Sequence, residues 1–229
     1  VHNEAGNVAG LIAEIAAAMD GRAYEMVFVN DASRDDTLAQ LIALKPKYPM
    51  LRVLTHRQNA GQSRSIASGV RKARASIVAT LDGDGQNDPA DLPDLINQLI
   101  RDDAPHGLAL IQGHRASRKD TWSKRLASRI ANAVRGGLLR DDTADSGCGA
   151  KAFRREAFLQ LPYFDHMHRF MPALMKAEGF AVENRPVNHR QRGAGQSNYT
   201  NFGRALAAIP DLAGVMWLAR RRRNPRAVN

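Results

Sequence analysis

Two carboxylates stand one residue apart in Asp82-Gly83-Asp84, and Gly85-Gln86-Asn87-Asp88-Pro89 follows them. Such a pair at the end of a strand can turn both side chains toward one hard divalent cation, and the glycine between them lets the backbone approach closely. Gln86 offers a third oxygen. The spacing superficially suits a calcium loop. An EF-hand, however, requires glycine at its sixth position and a bidentate glutamate at its twelfth, where this chain has Asn87 and Pro93. Taken alone, the segment is also readable as a plain acidic turn before a helix opened by Pro89. A second polar cluster, Asn30-Asp31, ends another apolar run.

Ligands in open α/β sheets bind beyond the carboxyl ends of the strands, so both clusters need strands beneath them. The pattern supplies these. Helix-period segments at Asn7 to Met19, Asp36 to Lys45, Gln62 to Ala73 and Leu92 to Arg101 alternate with strand-like runs at Glu25 to Val29, Leu51 to Thr55, Ser76 to Leu81 and Leu108 to Gln112. This alternation predicts an α/β fold with a mostly parallel sheet flanked by helices. Beyond it the chain turns basic and helical, with a helix expected over Trp122 to Leu139, interrupted at Gly136-Gly137.

A length of 229 residues suits one α/β domain, and 44% apolar with 24% charged residues is an ordinary globular composition. The single Cys148 has no partner for a disulfide or a zinc site, which fits a reducing cytoplasm. A net charge of +10 calls for a polyanionic partner, and the basic residues gather in Arg115 to Arg140, Arg185 to Arg204 and Arg220 to Arg223. Nucleic acid is disfavoured, because aromatic residues are 6% and do not interleave the basic runs as stacking platforms would. No run of about 20 apolar residues is present, so no segment is expected to cross a bilayer. A last helix from Phe202 to Leu218, with Pro210 as an expected kink and Trp217 near its end, leads into four arginines. That is the composition of an interfacial anchor on an anionic membrane, or of a core-packing helix with a solvated tail.

In order along the chain stand Asn3-Glu4, Val29-Asn30-Asp31-Ala32-Ser33-Arg34-Asp35-Asp36-Thr37, Asn59-Ala60-Gly61 with Ala67 and Gly69, and Asp82-Gly83-Asp84-Gly85-Gln86. This succession resembles the inverting family-two glycosyltransferases of GT-A fold. Within them it is similar to the dolichol-phosphate mannosyltransferases and the bacterial undecaprenyl-phosphate glycosyltransferases. The resemblance runs nearly end to end and divides the chain into a GT-A domain over 1–200 and an apolar helix with a polybasic tail over 201–229. It implies transfer of a sugar from a GDP- or UDP-sugar to a polyprenyl phosphate, with inversion, at the inner face of the membrane.

By position, the resemblance makes Asp31 the residue that recognises the base and puts Asn3 and Glu4 along the nucleotide pocket. Asn30 stands where many members have a first Asp. Asp82, Asp84 and Gln86 match the metal and diphosphate site, with Mg²⁺ or Mn²⁺ as the expected occupant. Gly113-His114-Arg115 places Arg115 near the phosphates, and Lys124 and Ser128 fall in the acceptor-phosphate region. Asp145, in an Asp-x-x-x-Gly segment, is expected to position the acceptor or a cationic side chain. Arg192 and Ser197 belong to an Arg-x-x-Gly-x-Ser element whose glycines suggest a loop ordering over substrate. His168 reads as a packing histidine.

A phosphate acceptor is already ionised and needs no strong general base. A hydroxyl acceptor, as in polysaccharide or lipid A assembly, would need one, and Asp145 is then the first candidate. A nucleotidyltransferase shares the sheet and the acidic site, but usually has a Gly-rich basic loop near its first strand, where this chain has only Asn3-Glu4-Ala5-Gly6.

Overall fold

The computed structural model describes residues 1–115, 136, 137, 139, 143, 145–191 and 201–222, with the side chains of 201–208 left aside. Among the described residues two sheets carry the fold. Strands β1 (Met26–Asn30) and β2 (Leu51–Thr55) pair in parallel, with Met26 beside Leu51 and Asn30 beside Thr55. The larger sheet has the order β3-β5-β4-β6, from β3 (Ile77–Thr80), β4 (Leu108–Arg115), β5 (Lys151–Arg154) and β6 (Ala181–Val187). There β4 and β6 run parallel, while β5 lies antiparallel between β3 and β4. Val1 joins the two sheets. Its nitrogen donates to Val29 O at 2.8 Å, its carbonyl accepts from Asp31 N at 2.9 Å, and a Cβ on Gly83 would collide with its side chain.

Helices α1 (Ala5–Ala18) and α2 (Thr37–Leu44) cover β1 and β2. Val8, Leu11 and Ile12 recur at helical spacing on α1 and meet Leu41, Met26, Phe28 and Leu51 in one buried cluster. Helix α3 (Gly61–Lys72) packs on the other side of β1, with Gly69 close enough to Val29 that a Cβ would touch it at 3.4 Å.

The larger sheet is covered on both faces because its inner strands alternate. Leu110 and Phe153 are register partners and share one buried cluster with Leu174 and Met171. Ile111 and Ala152, the next pair, belong to another with Leu95 and Leu99. The second cluster is built by α4 (Leu92–Ile100), and the first by α5 (Arg155–Leu159) and α6 (Met171–Ala177).

Helix α7 (Asn201–Arg221) continues across Pro210, where the sequence predicts a kink. One face docks: Val215 is buried, Leu212 packs against the α5 and α6 cluster, Asp211 Oδ2 accepts from His166 Nδ1 at 2.9 Å, and Arg222 pairs with Glu178. The opposite face leaves Ile209 and Trp217 more than half exposed.

The expected elements of the first half recur within one or two residues of their predicted ends, except that β4 runs on to Arg115, three residues past the expected Gln112. The second half departs from a purely basic and helical reading by two strands. β5 is four residues long with charged ends, and β6 interrupts its apolar pattern with Glu183, Asn184, Arg185 and Pro186. Neither shows a clear period-two signal. The helix expected over Trp122 to Leu139 lies outside the described residues except at Gly136, Gly137 and Leu139, which are helical.

Candidate active site

Both polar clusters lie at strand ends on the same side of the molecule, bridged by Val1. The loop after β1 is tied to the start of α1. Asn3 takes a left-handed conformation (φ 55°), its N–H donates to Ser33 Oγ at 3.0 Å and its Oδ1 accepts from Arg34 N at 2.8 Å. Glu4 N donates to Thr37 Oγ1 at 2.9 Å and Ala5 N to Asp35 Oδ2 at 3.1 Å. Burial would raise the Asp35 carboxyl, but hydrogen bonds from Thr37 and Ala5 outweigh it and hold the group below its ordinary range.

Asp31 is buried at 3% exposure and is heavily engaged. Its Oδ1 accepts from Ala60 N at 2.9 Å and His56 Nδ1 at 2.7 Å, and its Oδ2 from Gly61 N at 2.8 Å. The other His56 nitrogen lies 2.9 Å from Ser68 Oγ. Asp31 thus holds the first N–H groups of α3, the role of a capping carboxylate supplied from a distant strand. A carboxylate has about four acceptor sites, so Oδ2 retains one for a further donor.

At the end of β3, Asn87 Oδ1 accepts from Asp82 N at 2.9 Å and Asp84 Oδ1 from Gln86 N at 3.1 Å, which fixes the acidic turn from within. Gln62, in the first turn of α3, donates its amide to Asp82 Oδ1 at 2.8 Å. Gly149 presses against the Asp82 carboxylate so closely that a Cβ there would collide with it. Burial and the neighbouring Asp84 push the Asp82 carboxyl up, against the pull of Lys151, Arg115 and Gln62. A buried carboxylate raised by a second one beside it suits a bound cation, and an oxygen-rich ligand could complete its shell. The chemistry of Asp82, Asp84 and Gln86 therefore fits Mg²⁺ or Mn²⁺. Among the described residues no set of three or more His, Cys, Asp and Glu gathers as a self-sufficient metal cage.

Cationic groups line the same turn. Arg115, at the end of β4, makes a bidentate pair with Asp145, Nε to Oδ2 at 2.6 Å and Nη2 to Oδ1 at 2.8 Å. Burial works against the Arg115 charge, yet the bonds and charge of Asp145 raise its pKa above the usual guanidinium value. Lys151, on β5, is buried, and burial depresses its ammonium against the opposing charges of Asp82 and Asp145. Behind the turn, Arg190 N donates to Gln86 O at 2.8 Å and its guanidinium pairs with Asp88 at 2.6 Å and Glu14 at 2.6 Å. Asn188 donates twice to the Asp91 carboxylate, at 2.7 and 2.9 Å. The segment leading into residues 192–200 is thereby moored beside the acidic turn.

The predicted Asp82, Asp84, Gln86, Arg115 and Asp145 come together, with Asn3, Glu4 and Asp31 in the adjoining cluster. Lys124, Ser128, Arg192 and Ser197 lie outside the described residues. His168 is a half-buried packing histidine, 2.7 Å from Ser63 Oγ through Nδ1, and desolvation together with Arg169, Lys151 and His166 lowers its pKa to about 3. Gln62, His56, Gln112 and Lys151 were not singled out by sequence. Only Gln62 carried a signal, its place directly after Asn59-Ala60-Gly61.

A family model described as Glycosyl transferase family 2 matches residues 1–161. The chain belongs to glycosyl transferase family 2. Among relatives within that family, the dodecaprenyl-phosphate galacturonate synthase of Rhizobium johnstonii is 32% identical over 231 residues, covering 98% of this chain and 67% of that protein. The undecaprenyl-phosphate 4-deoxy-4-formamido-L-arabinose transferase of an Enterobacter strain is 30% identical, covering 93% of this chain and 64% of that protein. The family-two chain thus spans about two thirds of the length of these relatives. Glucosyl-3-phosphoglycerate synthase from Mycobacterium tuberculosis, solved with Mn²⁺, UDP and glucosyl-3-phosphoglycerate, superposes with a TM-score of 0.69 at 18% identity over 98% of this chain and 79% of that one. Its complex with Mn²⁺, UDP-glucose and glycerol 3-phosphate gives 0.66 at 19% identity, again over 98% and 79%. At such identity the likeness is one of fold, the α/β architecture of GT-A glycosyltransferases, as the sequence predicts.

Proposed function

We propose that the chain transfers a sugar from a nucleotide diphosphate sugar to a polyprenyl phosphate, with inversion and with a divalent cation at Asp82, Asp84 and Gln86. The observation that carries this reading is the acidic turn, packed against Gly149 and faced by Arg115 and Lys151. When bound, the cation neutralises charge that builds on the departing diphosphate. Arg115, fixed in orientation by Asp145, offers its guanidinium to the same phosphates or to the acceptor. Asn3, Glu4 and the segment held by Asp31 frame the nucleoside.

The bidentate Arg115–Asp145 pair also bears on the acceptor. A carboxylate committed to a guanidinium is a poor general base, which favours an acceptor that arrives already ionised. The two relatives named above are, by their names, polyprenyl-phosphate enzymes, and that supports the same choice. We place the enzyme peripherally at the inner face of an anionic membrane, met by the exposed face of α7 with Ile209, Trp217, Arg220 and Arg221. Among the described residues no helix is long and apolar enough to cross a membrane.

The test is transfer of radiolabel from a panel of GDP- and UDP-sugars to undecaprenyl phosphate, with Mg²⁺, with Mn²⁺ and with EDTA. Label entering the lipid phase only with metal is the expected result. Label appearing in a soluble or polysaccharide hydroxyl acceptor instead would overturn the acceptor assignment.

A further inference from the structure

Gln112 on β4 and Lys151 on β5 are register partners across the antiparallel pair. Both are polar and both are buried, at 0% and 4% exposure. A buried amide N–H and a buried amine need acceptors, and both find them in the same loop. Gln112 Nε2 donates to the carbonyl oxygens of Asp145 at 3.1 Å, Cys148 at 3.4 Å and Gly113 at 2.9 Å. Lys151 Nζ donates to Cys148 O and, at 3.5 Å, to Ser146 O.

That loop delivers two components of the site. At one end Asp145 orients Arg115. At the other, Gly149 sets its backbone against the Asp82 carboxylate, with Thr80 Oγ1 donating to Gly149 O at 2.8 Å. Gly113 N donates to Ala150 O at 3.0 Å and closes the strand pair beneath.

We propose that Gln112 and Lys151 form a buried clasp that fixes the Arg115–Asp145 pair relative to Asp82, which makes them positioning residues for the diphosphate side of the site. The proposal rests on the functional reading given above. The Gln112 amide and the Lys151 side chain both donate N–H groups to the loop carbonyls, so the clasp works through hydrogen bonds. Displacing reacting partners by a fraction of an ångström to an ångström costs turnover far more than it costs binding of the distant nucleoside.

The experiment compares Lys151→Met, Lys151→Gln and Gln112→Met with wild type in the intact chain. Leu41→Ala, in the separate core under β1, serves as a stability control. Steady-state transfer gives kcat and the donor KM, and amide hydrogen exchange follows residues 145–149. For Lys151→Met we expect kcat to fall about 10- to 100-fold, the donor KM to move less than about threefold, and exchange in 145–149 to quicken. Lys151→Gln, which keeps a donor, should recover part of the loss, and Leu41→Ala should lose stability without that fall in kcat. Wild-type kcat and wild-type exchange in Lys151→Met would overturn the clasp, as would an equal kcat loss in Leu41→Ala. If wild type transfers to no acceptor, the functional reading fails, while hydrogen exchange still decides whether the clasp holds the loop.

Discussion

At the end of β1, Asp31 gives both carboxylate oxygens to the protein itself, accepting from Ala60, Gly61 and His56. At the end of β3, Asp82 and Asp84 stand close enough that the charge of one raises the pKa of the other, with Arg115 and Lys151 as the compensating cations. The two strand ends look alike in sequence, each an apolar run closing on an acidic residue. Their surroundings separate them. Backbone donors make Asp31 part of the scaffold, whereas like charge suits the Asp82 turn to a group bound from outside.

This contrast is sharpest in the response to losing each carboxylate. Asp84→Asn should lower transfer by about 100- to 1,000-fold while the melting temperature stays level or rises, since it removes a like charge and a metal ligand together. Asp31→Ala should do the reverse. Orphaning the α3 N–H groups and His56 costs about 2–4 kcal/mol, which lowers Tm by about 5–15 °C in a chain of this size, with a higher donor KM as the secondary effect. Thermal melts and donor titrations on the two variants would erase the distinction if both lost the same property.

The acidity of the medium separates the halves more gently. His168, bonded to Ser63 of α3, has its folded pKa near 3 against an ordinary value of 6.5. As pH falls below 6.5 the unfolded chain takes up a proton that the folded one refuses, so stability is lost progressively until pH 3. Between pH 7 and pH 5 that loss is about 2 kcal/mol, measurable by urea unfolding, and His168→Asn should remove most of it. Asp82 has the opposite sign, because its raised pKa makes protonation favour the folded state as pH falls. The smallest effect is expected at the C-terminal end of α7. Arg220→Ala and Arg221→Ala should each weaken binding to anionic vesicles by about 1 kcal/mol, read by co-sedimentation at two salt concentrations.

Much of the first half was legible because its signals are local. Leu51–Thr55 forms the predicted strand end for end, and α1 shows its buried Val8, Leu11 and Ile12 as a plain helical period. The acidic turn was marked by the spacing of its carboxylates around a glycine, while its reading as a metal and diphosphate site came from the resemblance. β5 and β6 escaped because their stability comes from neighbours. A four-residue strand with a lysine at its start declares nothing until Gln112 is seen opposite it. The clamp role of Asp31 was hidden for the same reason, since its partners are backbone N–H groups at Ala60 and Gly61 that no side-chain pattern reveals. The Arg115–Asp145 pair lay between these cases: sequence marked both residues, and only the fold joined them.

The most direct test of the acidic turn as the chemical centre is lipid-linked sugar transfer by Asp84→Asn beside wild type, each with and without EDTA, alongside thermal melts of both proteins. Metal-dependent transfer by wild type, lost in a variant that melts no lower, is the predicted result; a variant that still transfers at the wild-type rate, or wild-type transfer indifferent to EDTA, would contradict it.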